Sequence, residues 1–340
     1  MMPYFAYVSL QDDDKILVFT LDAGTGRLTQ NAAVPVSGGP AALAIDPDRK
    51  FLYVGRRGAM DIASFSIDQT NGDITQIGSA PLQGEPVALA TDQKGRYVLS
   101  AYYYQRTAAV HRIESGAAVT PAVEWLMTAS GAHSIQTDPT NRFAFVPHIA
   151  NRGPNQIYQF IFDENTGHIT PNSPPQVEPT EYLGPRHFCF HPSLDIVYFS
   201  DEQGCSVTAY HMNAETGTLK AFQTISTLPE GYSEGNSCSQ IQITPNGRFL
   251  YAPNRGHNSI AGFRVDLSSG TLSAAGHVAT QAVPRAFSLD PQGKFLYAAG
   301  LETGNLTSYV IDQITGELTP SEIYPLGNRP MWVLTTELEG

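Results

Sequence analysis

Six side chains able to do acid–base and anion chemistry recur at matched points of one repeating pattern. They are His133, His148, Arg186, Glu202, Arg255 and Arg285. A histidine or a glutamate can take a proton from a reacting group. Planar guanidinium forks can hold two oxygens and the charge that develops on them. Arg186 and His187 stand in GPRHFCFHP, residues 184–192, directly ahead of an alternating strand-like run. One isolated arginine at a strand end is an ordinary solvated surface group, so the repeats decide what Arg186 is for.

A pattern of alternating apolar strand, Asp-Pro-type turn and aromatic-rich strand recurs six times. It reads ALAIDPDRKFLYVG from 42, ALATDQKGRYVLSA from 88, SIQTDPTNRFAFVP from 134, HFCFHPSLDIVYFS from 187, QIQITPNGRFLYAP from 240 and AFSLDPQGKFLYAA from 286. Its turn residues Pro47, Gln93, Pro139, Pro192, Pro245 and Pro291 are spaced by 46, 46, 53, 53 and 46. A second hairpin follows each unit, often with a D-x-x-T-G-x-I/L-T turn. Its glycines are Gly26, Gly72, Gly116, Gly167, Gly217, Gly270 and Gly316. A period near 50 with four strands per unit predicts propeller blades. FAYVSL at 5 looks like a second strand without a first, and NRPMWVLTT at 328 like a first without a second. Paired, they make a seventh blade from both chain ends, which removes open sheet edges. The expectation is all-β: residues 1–340 form one seven-bladed propeller, with almost no helix.

In a propeller the first strand of each blade lines the central channel. The loop leading into it and the loop from strand two to three open on the same face. Six residues before each turn residue stand Ala41, Val87, His133, Arg186, Ser239 and Arg285, with Met331 from the closing blade. Ten residues after it stand Arg57, Tyr103, Ile149, Glu202, Arg255 and Leu301, with Gln11 from the N-terminal half-blade. His148 and Asn151 flank Ile149. Four consecutive blades therefore supply the chemical residues, and the others supply mostly apolar ones. Each has a plain alternative: His191 as a turn residue, His187 packed between blades by alternation, Glu202 as a structural partner of Arg186 or Arg255. Crowding of so many ionisable groups predicts perturbed pKa values and a functional site. The loop LPEGYSEGN, 228–236, is expected to border the same mouth.

Composition excludes other classes. Net charge is −12, with 20 basic and 32 acidic residues, which opposes binding to nucleic acid or anionic lipid. The sequence shows neither a signal peptide nor an apolar run long enough to span a membrane. The three cysteines lack metal or disulfide spacing and read as small buried residues, consistent with a reducing cytoplasm. There is no GxSxG, HExxH, P-loop or GxGxxG motif, and no cofactor or metal is expected. Asp12, Asp13 and Asp14 read as a solvated loop. A monomer is expected.

GAHS at 131, GPRHFCFHP at 184, Glu202 sixteen residues after Arg186, ITPNGRFLYAPNR at 243 and RPMWV at 329 resemble the bacterial 6-phosphogluconolactonase family of seven-bladed propellers. The fungal 3-carboxy-cis,cis-muconate lactonizing enzymes are similar to the same family. The resemblance covers nearly the whole chain. It implies metal-independent lactone chemistry at the channel mouth, with His133, Arg186, Glu202 and Arg255 in functional roles. The NRGPN loop at 151 and SEGNSCSQ at 233 depart from it.

A lactone is an ester, so hydrolysis needs a positioned water, a base and positive groups at the carbonyl oxygen. His133 or Glu202 is the expected base, and Arg186 and Arg255 are the oxyanion holders. Arg285 is expected to meet an anionic substituent, and Tyr103, His148, Asn151, His187 and Gln240 to complete substrate binding. The leading expectation is hydrolysis of a 1,5-aldonolactone such as 6-phosphogluconolactone. An isomerase or muconate-type cycloisomerase would use the same groups with an internal nucleophile. A protein-binding scaffold is the reading from a different class.

Overall fold

The computed structural model describes residues 2–339. Seven antiparallel sheets of four or five strands make the seven blades. Blade 1 runs from Pro40–Ile45 to Ile74–Pro81, and blades 2 to 6 follow in chain order, with inner strands beginning at Ala88, Gln136, Ser237 and, for blades 4 and 6, Pro185 and Pro284. Blade 7 takes its inner strand Pro330–Glu337 from the C-terminus and its other three, from Tyr4 to Pro35, from the N-terminus. Val8 faces Val333 in that seam, as the terminal pattern predicted. The one helical piece among the described residues is a 3₁₀ turn at Gln11–Asp13. Asp12 and Asp14 are exposed, as the solvated-loop reading expects, and the turn also anchors neighbours: Asp13 accepts from the Asn328 backbone N–H at 3.0 Å, and Asp14 from that of Gly39 at 2.8 Å.

The blades pack through a repeated aromatic contact. The seven hairpin glycines all hold positive φ, and a Cβ on Gly26, Gly72, Gly217 or Gly316 would collide with a phenylalanine of another blade. Tyr7, Tyr53, Tyr198, Tyr251 and Tyr297 donate from their hydroxyls to the carbonyls of Gly72, Gly116, Gly270, Gly316 and Gly26. Each buried phenol thus finds the partner its burial requires. On the same face, Asp46, Asp92, Asp138 and Asp290 accept backbone N–H groups within their turns. His191 does the same through Nδ1, from Ser193 and Leu194 at 3.2 and 3.1 Å.

One irregularity positions the site. In blade 4 the register slips between Pro185 and His187, leaving Arg186 as the extra residue of a bulge. The same slip isolates Arg285 in blade 6 and Met331 in blade 7, and one falls between Pro40 and Leu43 in blade 1. The inner strands of blades 3 and 5 break at the same level. A bulge suspends the two-residue alternation and re-aims side chains. The alternation reading, which sent His187 away from Arg186, is corrected on this ground: both turn toward the channel.

Candidate active site

Arg186 is the pivot of the mouth. It is 1% exposed, and its Nε lies 2.6 Å from Glu202 Oε2 in an ion pair that lacks hydrogen-bond alignment. Glu202 follows strand Ile196–Asp201, and its N–H donates to the Gly184 carbonyl at 2.7 Å, which ties it to the GPRH segment. Arg255 Nη2 stands 3.3 Å from the same carboxylate oxygen and donates to the Cys238 carbonyl at 2.6 Å. Arg186 Nη1 lies 2.8 Å from His187 Nδ1. An arginine only donates, so that nitrogen must accept, and the His187 proton sits on Nε2.

The contacts continue around the ring. The His187 ring meets His133 edge-on at 5.3 Å and Trp332 at 5.9 Å. His133 meets Tyr103 at 6.0 Å, and the Tyr103 hydroxyl donates to the Asn151 carbonyl at 3.1 Å. Below the arginines a cavity of about 10 Å³, room for roughly one water, is lined by Arg186, His187, Gln240, Arg285 and Trp332 among others. Gln240 also accepts the Phe287 N–H at 2.9 Å, stitching blade 5 to blade 6.

His148 does not join this group. It is fully buried, its Nε2 accepts the Ala129 N–H at 3.3 Å, and its ring packs on Tyr158 at 4.5 Å. Strand alternation points it into the blade, so the substrate-binding expectation for His148 is corrected. Asn151 is exposed at the rim and engages Tyr103 through its backbone alone.

Electrostatics separate the roles. Burial, then Arg186, His187 and Arg285, hold His133 well below the usual imidazole range, so it is neutral. Burial, then Arg186 and Arg285, do the same to His187. Burial alone would raise the Glu202 carboxyl, but Arg186 and Arg255 outweigh it and keep it below its ordinary value. Burial pulls Arg186 down to about 10, with Arg255 adding to it, and burial, then Arg186 and Arg255, lower Arg285 as well. Guanidinium groups stay charged, so these shifts express crowded positive charge. Among the described residues Arg285 has no ion-pair partner, while Arg57 pairs with Glu85 at 3.0 Å. Nδ1 of His133, Nε2 of His187 and Nε of Arg255 are buried without a protein partner. Such orphaned groups at one mouth are what a ligand site leaves open.

The model of the seven-bladed β-propeller lactonase family matches residues 4–335. The chain belongs to that family. A relative named 6-phosphogluconolactonase, from Yersinia pseudotuberculosis, is 34% identical over 332 residues, covering 98% of both chains. In fold, the lactonase is similar to the Pseudomonas aeruginosa periplasmic gluconolactonase, with a TM-score of 0.90, 21% identity and 99% of each chain covered. A protein from Bacteroides fragilis gives a TM-score of 0.88 at 22% identity over 98% of each chain.

The sequence reading missed Trp332 and the pairing of Arg57 with Glu85. The signal for Trp332 was present: it follows ring residue Met331 as His187 follows Arg186 and Gln240 follows Ser239. At a bulge, the residue after the ring position also faces the channel.

Proposed function

We propose that this lactonase hydrolyses a 1,5-aldonolactone carrying an anionic substituent, with 6-phosphogluconolactone the leading substrate. The observation that carries the reading is the charge imbalance at the mouth. Arg186, Arg255 and Arg285 surround the single carboxylate of Glu202 in a chain of net charge −12. The names of the 34%-identical relatives support the same substrate. The cavity under the arginines is too small for a sugar, so the lactone sits above it, toward Glu202 and Arg255.

His133 is the base. It is neutral and lies edge-on to His187 beside the arginines, whereas Glu202 is engaged by two arginines. His133 takes a proton from water, and the hydroxide adds to the lactone carbonyl carbon. Arg186, Arg255 and the Nε2–H of His187 hold the oxyanion. The bond from that carbon to the ring oxygen then breaks, and His133 returns its proton to the departing oxygen. The new carboxylic acid ionises, so one lactone and one water give an aldonate and a proton. General base catalysis of this kind contributes about 10²–10⁴-fold. A δ-lactone already opens in water, so modest acceleration suffices. Glu202 keeps Arg186 and Arg255 oriented, and Arg285 meets the phosphate. The three unpaired cysteines support a reducing cytoplasm as the working compartment.

NMR of a δ-lactone panel with and without enzyme tests this. Free aldonic acid forming faster than in the blank is expected. A ring-shifted 1,4-lactone would assign an isomerase, and spectra identical to the blank would favour a scaffold.

A further inference from the structure

Behind Arg255 lies a buried polar group that the chemistry above does not use. Asn254 is 0% exposed and sits on strand Phe249–Arg255, one residue before the arginine. Its Nδ2 donates to the Thr227 carbonyl at 2.6 Å, and its Oδ1 accepts from Asn236 Nδ2 at 2.9 Å. Thr227 directly precedes, and Asn236 ends, the segment 228–236, the long connection from the outer strand of blade 4 to the inner strand of blade 5. One carboxamide therefore clasps both ends of that loop.

The loop's far end is coupled to the site. Asn236 leads directly into Ser237–Cys238, a two-residue strand in which Ser237 pairs with Arg255 and Cys238 with Asn254. The Cys238 carbonyl receives the Arg255 guanidinium at 2.6 Å, and its N–H donates to the Glu202 carbonyl at 3.2 Å. Asn236 also accepts the His257 N–H at 3.1 Å, and Tyr232 packs edge-on against His257 at 4.7 Å. Gly256, next after Arg255, has φ of 139°, and a Cβ there would overlap the Gly235 carbonyl. The loop is thus seated on the residues that flank the arginine.

We propose that Asn254 is a positioning residue of the lactone site. By pinning Thr227 to Asn236 it fixes Cys238, and through Cys238 it aims Arg255 at Glu202 and closes the loop beside the mouth. The proposal rests on the lactonase reading only for its kinetic part. Asp in place of Asn keeps the shape but sets an oxygen against the Thr227 carbonyl, so that bond is lost and only the Thr227 hydroxyl, 2.8 Å from Oδ1, still holds this arm of the clasp. A lost buried hydrogen bond of this kind is worth about tenfold.

The experiment measures Asn254→Asp and the milder Asn236→Ala in wild-type and Arg255→Ala backgrounds, together with hydrogen exchange of residues 228–236. Expected are about tenfold losses of kcat/KM in the wild-type background, little further loss once Arg255 is gone, and faster exchange confined to the loop. Undiminished kcat/KM in both folded variants would overturn the proposal. So would equal losses in both backgrounds, or unchanged exchange of the loop. If Arg255→Ala itself retained full activity, the lactonase reading of the mouth would fail, and the exchange result would still judge the clasp.

Discussion

The two halves of the channel mouth are built on the same blade and differ in one respect, the balance of charge. On the side of blades 7, 1 and 2 the ring positions hold Met331, Ala41 and Val87, all buried. The arginines there are neutralised locally: Arg56 pairs with Asp61, and Arg57 with Glu85. On the side of blades 3 to 6 the ring holds His133, Arg186 and Arg285; Arg186 and Arg255 share the one carboxylate of Glu202, and Arg285 has no ion-pair partner among the described residues. A scaffold that wanted only rigidity would balance its charges on both sides, as buried unpaired charge is costly. The imbalance is the ground on which we propose that this half meets the ligand.

The strongest blow to that contrast is Arg186→Lys. Lysine keeps the charge but loses the fork that reaches Glu202 and His187 together. We expect kcat/KM to fall by about 10²–10³ with the melting temperature little changed. Steady-state kinetics showing most of the activity retained would remove Arg186 from the chemistry.

A sharper comparison sets Arg285→Ala against Arg57→Ala. The first should cost about 10- to 150-fold on a phosphorylated lactone and much less on its unphosphorylated analogue. The second, already neutralised by Glu85, should cost only a few-fold on both. Equal losses on the two lactones for Arg285→Ala would deny it a role in reading phosphate.

A smaller effect separates structural from chemical histidines. His111 is fully buried against Trp125 with both nitrogens unpartnered, and burial lowers its pKa to about 4. Below an ordinary imidazole value of about 6.5 the unfolded chain binds a proton that the folded one refuses, so stability falls from there down to about 4. Asp201, raised to about 7 by burial, works in the opposite direction over the same window. The difference between His111→Phe and wild type isolates the histidine. The variant should gain roughly 2–4 °C on wild type between pH 7 and pH 5. Parallel melting curves at the two pH values would contradict the assignment.

The smallest expected effect is that of a chelator. Among the described residues no group of three or more His, Cys, Asp or Glu is placed to hold a metal. Activity in EDTA should match the untreated enzyme, and loss restored by a divalent ion would refute this.

Repeats made the fold and most of the mouth legible. Counting from the turn residues placed His133, Arg186, Glu202, Arg255 and Arg285 together because every blade has the same length between turn and channel. Counting failed where the backbone departs from period two. The bulge at Arg186 brings His187 inward, against strict alternation. His148 failed in the other direction: its strand is regular, and alternation turns it from the channel toward Tyr158. The neutralisation of Arg57 was illegible because Glu85 lies 28 residues on, in the connection to the next blade. The clasp at Asn254 joins residues from three segments that no single repeat contains.

A crystal structure with 6-phosphogluconolactam, which cannot be opened as the ester is, tests the central claim most directly. The account predicts the lactam carbonyl between His133, Arg186 and Arg255, with the phosphate toward Arg285. Full occupancy on the Arg57 side, or at the opposite face of the propeller, would contradict it.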